Sequence, residues 1–165
     1  MSFEDIKALL TEKFGPEVIN GEETGGLQPA LLIEPDHITE VCLELRNNSN
    51  TYFDFLSCLT GVDYGTEINR FGVVYHLASI PYQKQLTLKI SKENNRDLNE
   101  LPAFPSVTAV YRTADWHERE AYDLVGIFFE GHPDLRRILL PDDWEGYPLR
   151  KDYVTAEYYK GIKID

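Results

Sequence analysis

Two glutamates, Glu118 and Glu120, lie in a charge-rich stretch and are candidates for acid–base chemistry. A pair of carboxylates can act as general acid and general base, as in a glycoside hydrolase. The surrounding segment is predicted to be helical, and side chains two positions apart on a helix diverge by about 200°. These two carboxylates are therefore not expected to converge on one substrate bond.

The four histidines of the chain do not form a metal-binding motif. A zincin motif needs two histidines at positions i and i+4 of one helix, but Ala121 stands four residues after His117. His132 and Asp134 offer two possible ligands, and nothing nearby in the sequence completes a tetrahedral set. We therefore interpret the histidines as hydrogen-bonded structural residues.

Phosphate-binding and nucleophile motifs are also missing from the sequence. Gly21, Gly25 and Gly26 match no G-x-G-x-x-G pattern, and no Lys-Ser or Lys-Thr pair follows them as in a P-loop. We interpret these glycines as a hairpin turn. No G-x-S-x-G nucleophile elbow occurs either. The residues alone thus give no complete active site.

The chain is strongly acidic, with 28 Asp and Glu against 16 Lys and Arg and a net charge of −12. This balance argues against a nucleic-acid binder and against direct docking on an anionic bilayer. No apolar run approaches the ~20 residues of a membrane span. Cys42 and Cys58 form no C-x-x-C pair, and the N-terminus resembles no signal peptide, so we expect a reducing, cytoplasmic setting.

The middle of the chain is predicted to be an antiparallel meander with helices before and after it. This pattern predicts a single α+β domain, an antiparallel β-sheet flanked by helices. Ser2 is the predicted N-cap of the first helix, and Pro35 opens the second, where Cys42 lies on the apolar stripe. The predicted strands are residues 17–20, 30–34, 52–60, 71–80 and 86–91. In the last strand, apolar residues alternate with Thr87, Lys89 and Ser91, which predicts that one face of the strand is exposed to solvent.

Thr113 or Asp115 is the predicted N-cap of a third helix, which ends at Val125 with Gly126 as its left-handed C-terminal cap. Charged and apolar residues interleave on both sides of this helix, and Arg119 is placed to pair with Asp123 four residues on. A helix covered on all sides needs a partner for each charge, because an unpaired buried charge is very costly. The predicted partners are downstream basic residues or another chain.

Three prolines, Pro133, Pro141 and Pro148, interrupt the residues that follow. Residues 132–150 are therefore expected to be ordered coil held by its contacts, or a segment that becomes ordered on a partner. We divide the domain 1–165 into a compact core, 1–131, and an extended C-terminal arm that binds partners, 132–165.

Three segments of the chain, 118–127, 132–139 and 147–153, read EREAYDLVGI, HPDLRRIL and YPLRKDY. Together they resemble the C subunit, or 30 kDa subunit, of NADH-quinone oxidoreductase, which is respiratory complex I. The stretch 59–64 and the strands after it also resemble this family, whereas the first thirty residues are less distinctive. Val125 departs from the usual aromatic residue and Val154 from a common proline.

The resemblance implies a non-catalytic structural subunit in the hydrophilic arm of a proton-translocating NADH-quinone oxidoreductase. Around the quinone site, such a subunit holds its neighbours, chiefly the D subunit and also the B subunit. It binds no cofactor itself, while the complex as a whole carries FMN, iron–sulfur clusters and quinone. The implied location is peripheral, on the cytoplasmic side of the cell inner membrane, with only indirect membrane contact.

The resemblance also assigns a partner interface to the charged segments, with no catalytic, cofactor-binding or metal-binding residue. The interface residues are Glu118, Arg119, Glu120, Tyr122, Asp123, Gly126, His132, Pro133, Arg136, Arg137, Arg150, Lys151 and Asp152. If the ion pairs are buried away from water, replacing Arg119 or Arg136 with alanine should leave a carboxylate without its partner. The free energy of unfolding should then fall by ~3–5 kcal/mol.

Two alternatives remain open at this point. The chain is the equivalent subunit of a related membrane-bound hydrogenase or quinone-reducing dehydrogenase, or it is a stand-alone acid–base hydrolase. The hydrolase would use Glu118, Glu120 and His132, and it requires these groups to lie within hydrogen-bond reach of one substrate.

Overall fold

Three α-helices and nine strands make up the fold of the computed structural model, which describes residues 1–26 and 28–164. The helices are α1 (Phe3–Phe14), α2 (Ile38–Asn47) and α3 (Ala114–Val125). Ser2 caps α1 as predicted, since its hydroxyl accepts from the Asp5 N–H at 3.2 Å while its own N–H donates to the Asp5 carboxylate at 2.7 Å.

The main sheet has five strands in the order β1-β2-β5-β4-β3. Their bounds are β1 (Ile19–Glu23), β2 (Ala30–Ile33), β3 (Phe55–Asp63), β4 (Arg70–Ser79) and β5 (Lys84–Glu93). Two predicted strand starts are wrong, because residues 16–18 form a 3₁₀ turn and Tyr52 has a left-handed φ of 39°. The predicted hairpin between β1 and β2 and the meander from β3 to β5 are both antiparallel in the structure.

One strand pair departs from the predicted antiparallel sheet. β2 and β5 run parallel, with Ala30 opposite Thr87 and Leu32 opposite Lys89. The cause is α2, which carries the chain from β2 to the far edge of the sheet, where β3 runs in the same direction. Such a crossover helix connects parallel strands, so the sheet is mixed although most of its pairs are antiparallel.

The hydrophobic core lies on the face of the sheet that α1 and α2 cover. Leu88 of β5 and Tyr75 of β4 are fully buried there, as is Cys42 of α2. Cys42 is therefore a core side chain, as predicted, and burial raises the pKa of its thiol. On the opposite face Thr87 is also buried, contrary to the predicted solvent-exposed face, and its hydroxyl lies 3.2 Å from His76 Nδ1.

Helix α3 packs along β3, the edge strand of the sheet. A Cβ atom at Gly61 would lie 3.0 Å from the Ala121 side chain, so glycine permits this close approach. Thr113 occupies the N-cap position but does not cap the helix; its hydroxyl donates instead to the Leu56 carbonyl at 3.2 Å. Gly126 ends the helix with a left-handed φ of 74°, as predicted.

The remaining strands were not predicted. β6 (Ala103–Pro105) and β7 (Phe128–Glu130) form a parallel pair, and β8 (Tyr158–Tyr159) and β9 (Ile162–Lys163) form a short hairpin inside the predicted extended arm. Within residues 1–26 and 28–164, no helix has the length and apolar character needed to cross a lipid bilayer.

Gly126 provides a test of how tightly the C-terminal segment packs on α3. A Cβ atom at Gly126 would lie 2.5 Å from the Tyr147 ring. We expect Gly126→Ala to lower the free energy of unfolding by roughly 2–5 kcal/mol, because left-handed strain adds to overpacking. Urea unfolding measures this difference.

Gly131→Ala is the matched control. Gly131 has a φ of 80° but nothing within 4 Å of its added Cβ, so only the strain of roughly 1–2 kcal/mol remains. Equal losses in the two variants would contradict the packing of Tyr147 against Gly126.

Candidate functional site

Asp123 of α3 is fully buried and anchors the chain that follows β7. Its Oδ2 accepts hydrogen bonds from the backbone N–H groups of Ile138, Leu139 and Leu140 at 3.0, 2.7 and 2.9 Å. Its Oδ1 accepts from Arg137 Nη1 at 2.7 Å. Burial by itself would raise the pKa of Asp123, but these donors outweigh it and the pKa falls below its ordinary value.

Arg137 extends this anchor towards the following residues. Its Nη1 also donates to the Asp123 carbonyl at 3.1 Å, and its Nη2 donates to the carbonyls of Trp144 and Gly146, both at 3.0 Å. Its guanidinium carbon lies 5.2 Å from the centre of the Tyr147 ring. One guanidinium therefore fixes residues 144–147 against the end of α3.

A second anchor lies at the end of β3, around Asp63. Arg96 donates to both carboxylate oxygens at 2.9 and 2.5 Å, and the backbone N–H groups of Lys151 and Gly65 each donate at 2.8 Å. Burial opposes ionisation here too, but the Arg96 and backbone donors lower the pKa of Asp63 to about 2. The carboxylate thus ties residue 151 to the sheet.

Arg150 completes the second anchor from the C-terminal side. It donates to both carboxylate oxygens of Asp152 at 2.9 and 3.0 Å, and it donates to the Arg96 carbonyl at 2.9 Å. The guanidinium carbons of Arg96 and Arg150 lie 4.8 and 5.0 Å from the centre of the Phe71 ring. Both cations therefore gain a cation–π contact with one buried aromatic ring.

Glu118 is fully buried and has no cationic partner among the described residues. Its carboxylate accepts from Ser106 Oγ at 2.7 Å and from the Val107 N–H at 2.8 Å. Burial, together with repulsion from Asp115, raises the pKa of Glu118 to about 7 despite these two donors. It joins α3 to the loop after β6.

Two of the predicted ion pairs are wrong. Arg119 does not pair with Asp123; it donates instead to the carbonyls of Arg136 and Arg137, both at 3.3 Å. Arg136 pairs with Asp134 at 2.9 Å on the surface, where the two side chains are 67% and 57% exposed. Removing Arg136 would therefore strand no buried carboxylate, because Arg137 is the residue that pairs with Asp123.

The groups of the alternative hydrolase do not converge. Glu118 is buried against Ser106, whereas Glu120 is exposed on α3. His132 contacts the Asp115 carbonyl through Nε2 at 3.2 Å and accepts from the Asp134 N–H through Nδ1 at 3.0 Å. Glu118 and His132 thus have separate local partners, and Glu120 faces solvent.

The other histidines are mostly hydrogen-bonded, as predicted. His37 contacts Glu40 and His76 contacts Thr87, both at 3.2 Å, whereas His117 Nδ1 is buried without a partner in the described part of the chain. No group of three or more His, Cys, Asp or Glu that could hold a metal ion occurs within residues 1–26 and 28–164.

The remaining predicted interface residues lie at the surface or between the anchors. The Lys151 side chain and Pro133 are exposed, and Tyr122 packs edge-on against Tyr147 with ring centres 6.1 Å apart. Sequence reasoning missed Arg96 and Ser106 altogether. For Asp63 a signal existed, because it lies in the stretch 59–64 that resembles the family.

The choice between Arg137 and Arg136 is directly testable. Arg137→Ala removes the cation from a fully buried carboxylate and should lower the free energy of unfolding by roughly 3–5 kcal/mol. Arg136→Ala removes an exposed pair and should leave the unfolding midpoint almost unchanged. Denaturant unfolding of both variants measures this, and a larger loss for Arg136→Ala would refute the assignment.

Glu118 predicts a pH dependence of stability. Its carboxyl binds its proton more tightly in the folded chain, with a pKa of about 7 against the ordinary 4.5, so its contribution is present below pH 4.5 and is lost as pH rises through 7. The wild type should therefore lose on the order of 3 kcal/mol relative to Glu118→Gln between pH 4.5 and 8.

The exposed Glu120→Gln variant is the control for this measurement. Its unfolding free energy should keep a constant difference from the wild type across that pH range. A pH-independent difference for Glu118→Gln would show that the buried carboxyl is not protonated near neutrality.

Comparisons with known proteins identify the family to which this chain belongs. The family model described as "Respiratory-chain NADH dehydrogenase, 30 Kd subunit" matches residues 31–159, which include both anchors. A relative from Chloroherpeton thalassium, named as the C subunit of NADH-quinone oxidoreductase, is 46% identical over 94% of this chain and 62% of its own length. A relative of the same name from Chlorobium phaeobacteroides is 39% identical over 94% of this chain and 91% of its own length.

Several other relatives are considerably longer than the aligned region. A Salinispora arenicola protein of the same name is 50% identical over 81% of this chain, and the match spans 54% of its length. Among solved structures, a chain of the membrane-bound sulfane sulfur reductase, an archaeal respiratory membrane complex, is 25% identical with a TM-score of 0.72, covering 92% of this chain and 85% of that one. The resemblance found in the charged segments is confirmed, and the chain belongs to the family of the 30 kDa subunit of respiratory-chain NADH dehydrogenase.

Proposed function

We propose that this chain is a non-catalytic structural subunit of the hydrophilic arm of a proton-translocating NADH-quinone oxidoreductase. The observation that carries the proposal is the way the segment 137–152 is held. Arg137 turns inward to Asp123 and the backbone N–H of Lys151 donates to Asp63, while Leu139 and Leu149 remain 63% and 59% exposed. The segment thus presents two exposed leucines on a chain that buried carboxylates hold in place.

This arrangement suits a docking surface better than a reaction site. The Leu139 N–H is fixed on Asp123 and the Leu149 N–H donates to the Leu124 carbonyl at 2.8 Å, so both residues are held in place before a partner arrives. Preorganisation of this kind lowers the entropic cost of association. Val154, which follows, is 85% exposed.

In this proposal the partners are chiefly the D subunit and also the B subunit, which this chain holds around the quinone site. FMN, iron–sulfur clusters and quinone are then bound by other members of the complex. The chain lies peripherally on the cytoplasmic side of the cell inner membrane and contacts the membrane only indirectly. The names of the relatives support the assignment to this complex.

A second candidate is the equivalent subunit of a related membrane-bound hydrogenase or quinone-reducing dehydrogenase. The likeness to a chain of the sulfane sulfur reductase favours it, because that protein belongs to a different respiratory membrane complex. The two candidates differ in the proteins that accompany the chain. NADH-oxidising subunits belong to the first alone.

The test is to recover the tagged full chain from its native cells under gentle extraction and to identify the accompanying proteins. Leu139→Asp should abolish or strongly reduce recovery of the partners, because it places a charge in the apolar docking surface. Recovery of flavin-binding and cluster-binding subunits with the unmodified chain supports the proposal. A clean monomer would contradict it.

Ile80→Asp is the matched control. Ile80 is also 63% exposed, but it lies in the turn between β4 and β5, at the end of the sheet opposite Asp63. Partner recovery should survive this change. Equal losses in both variants would show that the segment 137–152 is not the specific docking surface.

A further inference from the structure

A cavity of about 230 Å³ lies between residues 143–145 and the C-terminal hairpin β8–β9. Four aromatic side chains line it: Trp144, Tyr153, Tyr158 and Tyr159. The rings of Trp144 and Tyr159 are in contact, with centres 5.3 Å apart and planes tilted by 41°. Aromatic faces carry a partial negative charge, so a cavity walled by them favours a cation.

Two carboxylates add to this preference. Asp143 accepts from the Tyr159 hydroxyl at 2.9 Å and pairs with Lys160 at 3.2 Å. Glu145 also lines the cavity and makes no hydrogen bond or ion pair among the described residues. The cavity therefore keeps one carboxylate without a partner, in a chain whose net charge is −12.

The chain already places one cation beside this cavity. Lys160 Nζ lies 5.3 Å from the centre of the Tyr159 ring while it pairs with Asp143. This lysine contacts the ring of Tyr159 and the carboxylate of Asp143. Among the described residues, no cation pairs with the carboxylate of Glu145 or lies over the rings of Tyr153 and Tyr158.

The first anchor holds the wall of the cavity in position. Arg137 donates to the Trp144 carbonyl at 3.0 Å, and Tyr153 packs so closely on Gly146 that a Cβ atom there would lie 3.1 Å from its ring. The Tyr153 N–H donates to the Arg150 carbonyl at 3.2 Å. Two of the four aromatic residues are thus fixed by the contacts that hold the segment 137–152.

We propose that this cavity binds the guanidinium group of an arginine carried by a neighbouring subunit. A guanidinium stacks on aromatic faces and donates two parallel hydrogen bonds to one carboxylate, which here is Glu145. A quaternary ammonium group donates none and would leave Glu145 without a hydrogen bond. The inference rests on the proposed function for the source of the arginine, whereas the chemistry of the cavity belongs to this chain alone.

Trp144 provides the readout for a test with the full chain. The chain has two tryptophans, and Trp116 is 64% exposed, so Trp116→Phe leaves Trp144 as the reporter without loss of core packing. N-acetylarginine amide should change the Trp144 emission saturably. The amide of N-acetylcitrulline, which is neutral and nearly the same shape, should not, and tetramethylammonium should bind several-fold more weakly.

Two variants in this background assign the binding to the cavity. Glu145→Gln and Tyr158→Leu should each weaken the binding of N-acetylarginine amide about 3- to 10-fold. Both positions are exposed, so circular dichroism should show unchanged folding. Glu157→Gln removes a nearby carboxylate that does not line the cavity and should leave binding unchanged.

Several results would overturn the inference: no saturable response to N-acetylarginine amide, an equal response to the citrulline compound, or equal weakening by Glu157→Gln. Partner recovery with the tagged chain separates this inference from the proposed function. Recovery of partners without arginine binding refutes the cavity assignment alone. Arginine binding without any recovered partner refutes the proposed function and leaves the cation site established.

Discussion

The buried carboxylate of Asp123 is the interaction on which the C-terminal third of this protein depends. Residues 133–148 contain three prolines and form no continuous helix or strand, so their backbone N–H groups lack regular partners. A buried donor without an acceptor is costly, and one carboxylate oxygen of Asp123 accepts three of these donors at once. Arg137 supplies the compensating charge and carries the constraint on to residues 144 and 146.

The anchor at Asp63 repeats the same physical solution at the other end of the segment. In both places a carboxylate on regular structure receives one guanidinium and backbone N–H groups from irregular chain. Because α3 packs on β3, the two anchors fix residues 137–152 relative to one edge of the sheet. Buried ionic clusters of this kind add little to net stability. Their effect is to favour one register of the segment, because a shift of one residue would leave a charge without its partner.

The parts of the fold that sequence reasoning predicted are those set by local rules. The N-cap at Ser2 and the left-handed cap at Gly126 depend on neighbouring residues, as does the apolar stripe that buries Cys42. The choice of Arg137 over Arg136 as the partner of Asp123 depends on the path of a proline-interrupted chain, which periodicity does not describe. Likewise, Asp63 joins Lys151 across 88 residues, and the parallel pairing of β2 with β5 follows from a crossover between distant strands.

The buried charged residues and the exposed apolar residues of the C-terminal segment have different roles. The charged residues hold the chain in place, and the apolar residues are accessible to a partner. Asp63, Asp123, Arg137 and Arg150 are buried or nearly so, and their charges are matched within the chain. Leucines and an aromatic cavity are left at the surface of the same segment. A ligand in that cavity would bind only the folded arrangement of residues 143–145 and the β8–β9 hairpin, and binding to the folded state alone stabilises it by mass action. Because Arg137 also holds the Trp144 carbonyl, a ligand bound in the cavity would favour the ordered state of the segment 137–152, and the ordered segment would in turn favour the ligand.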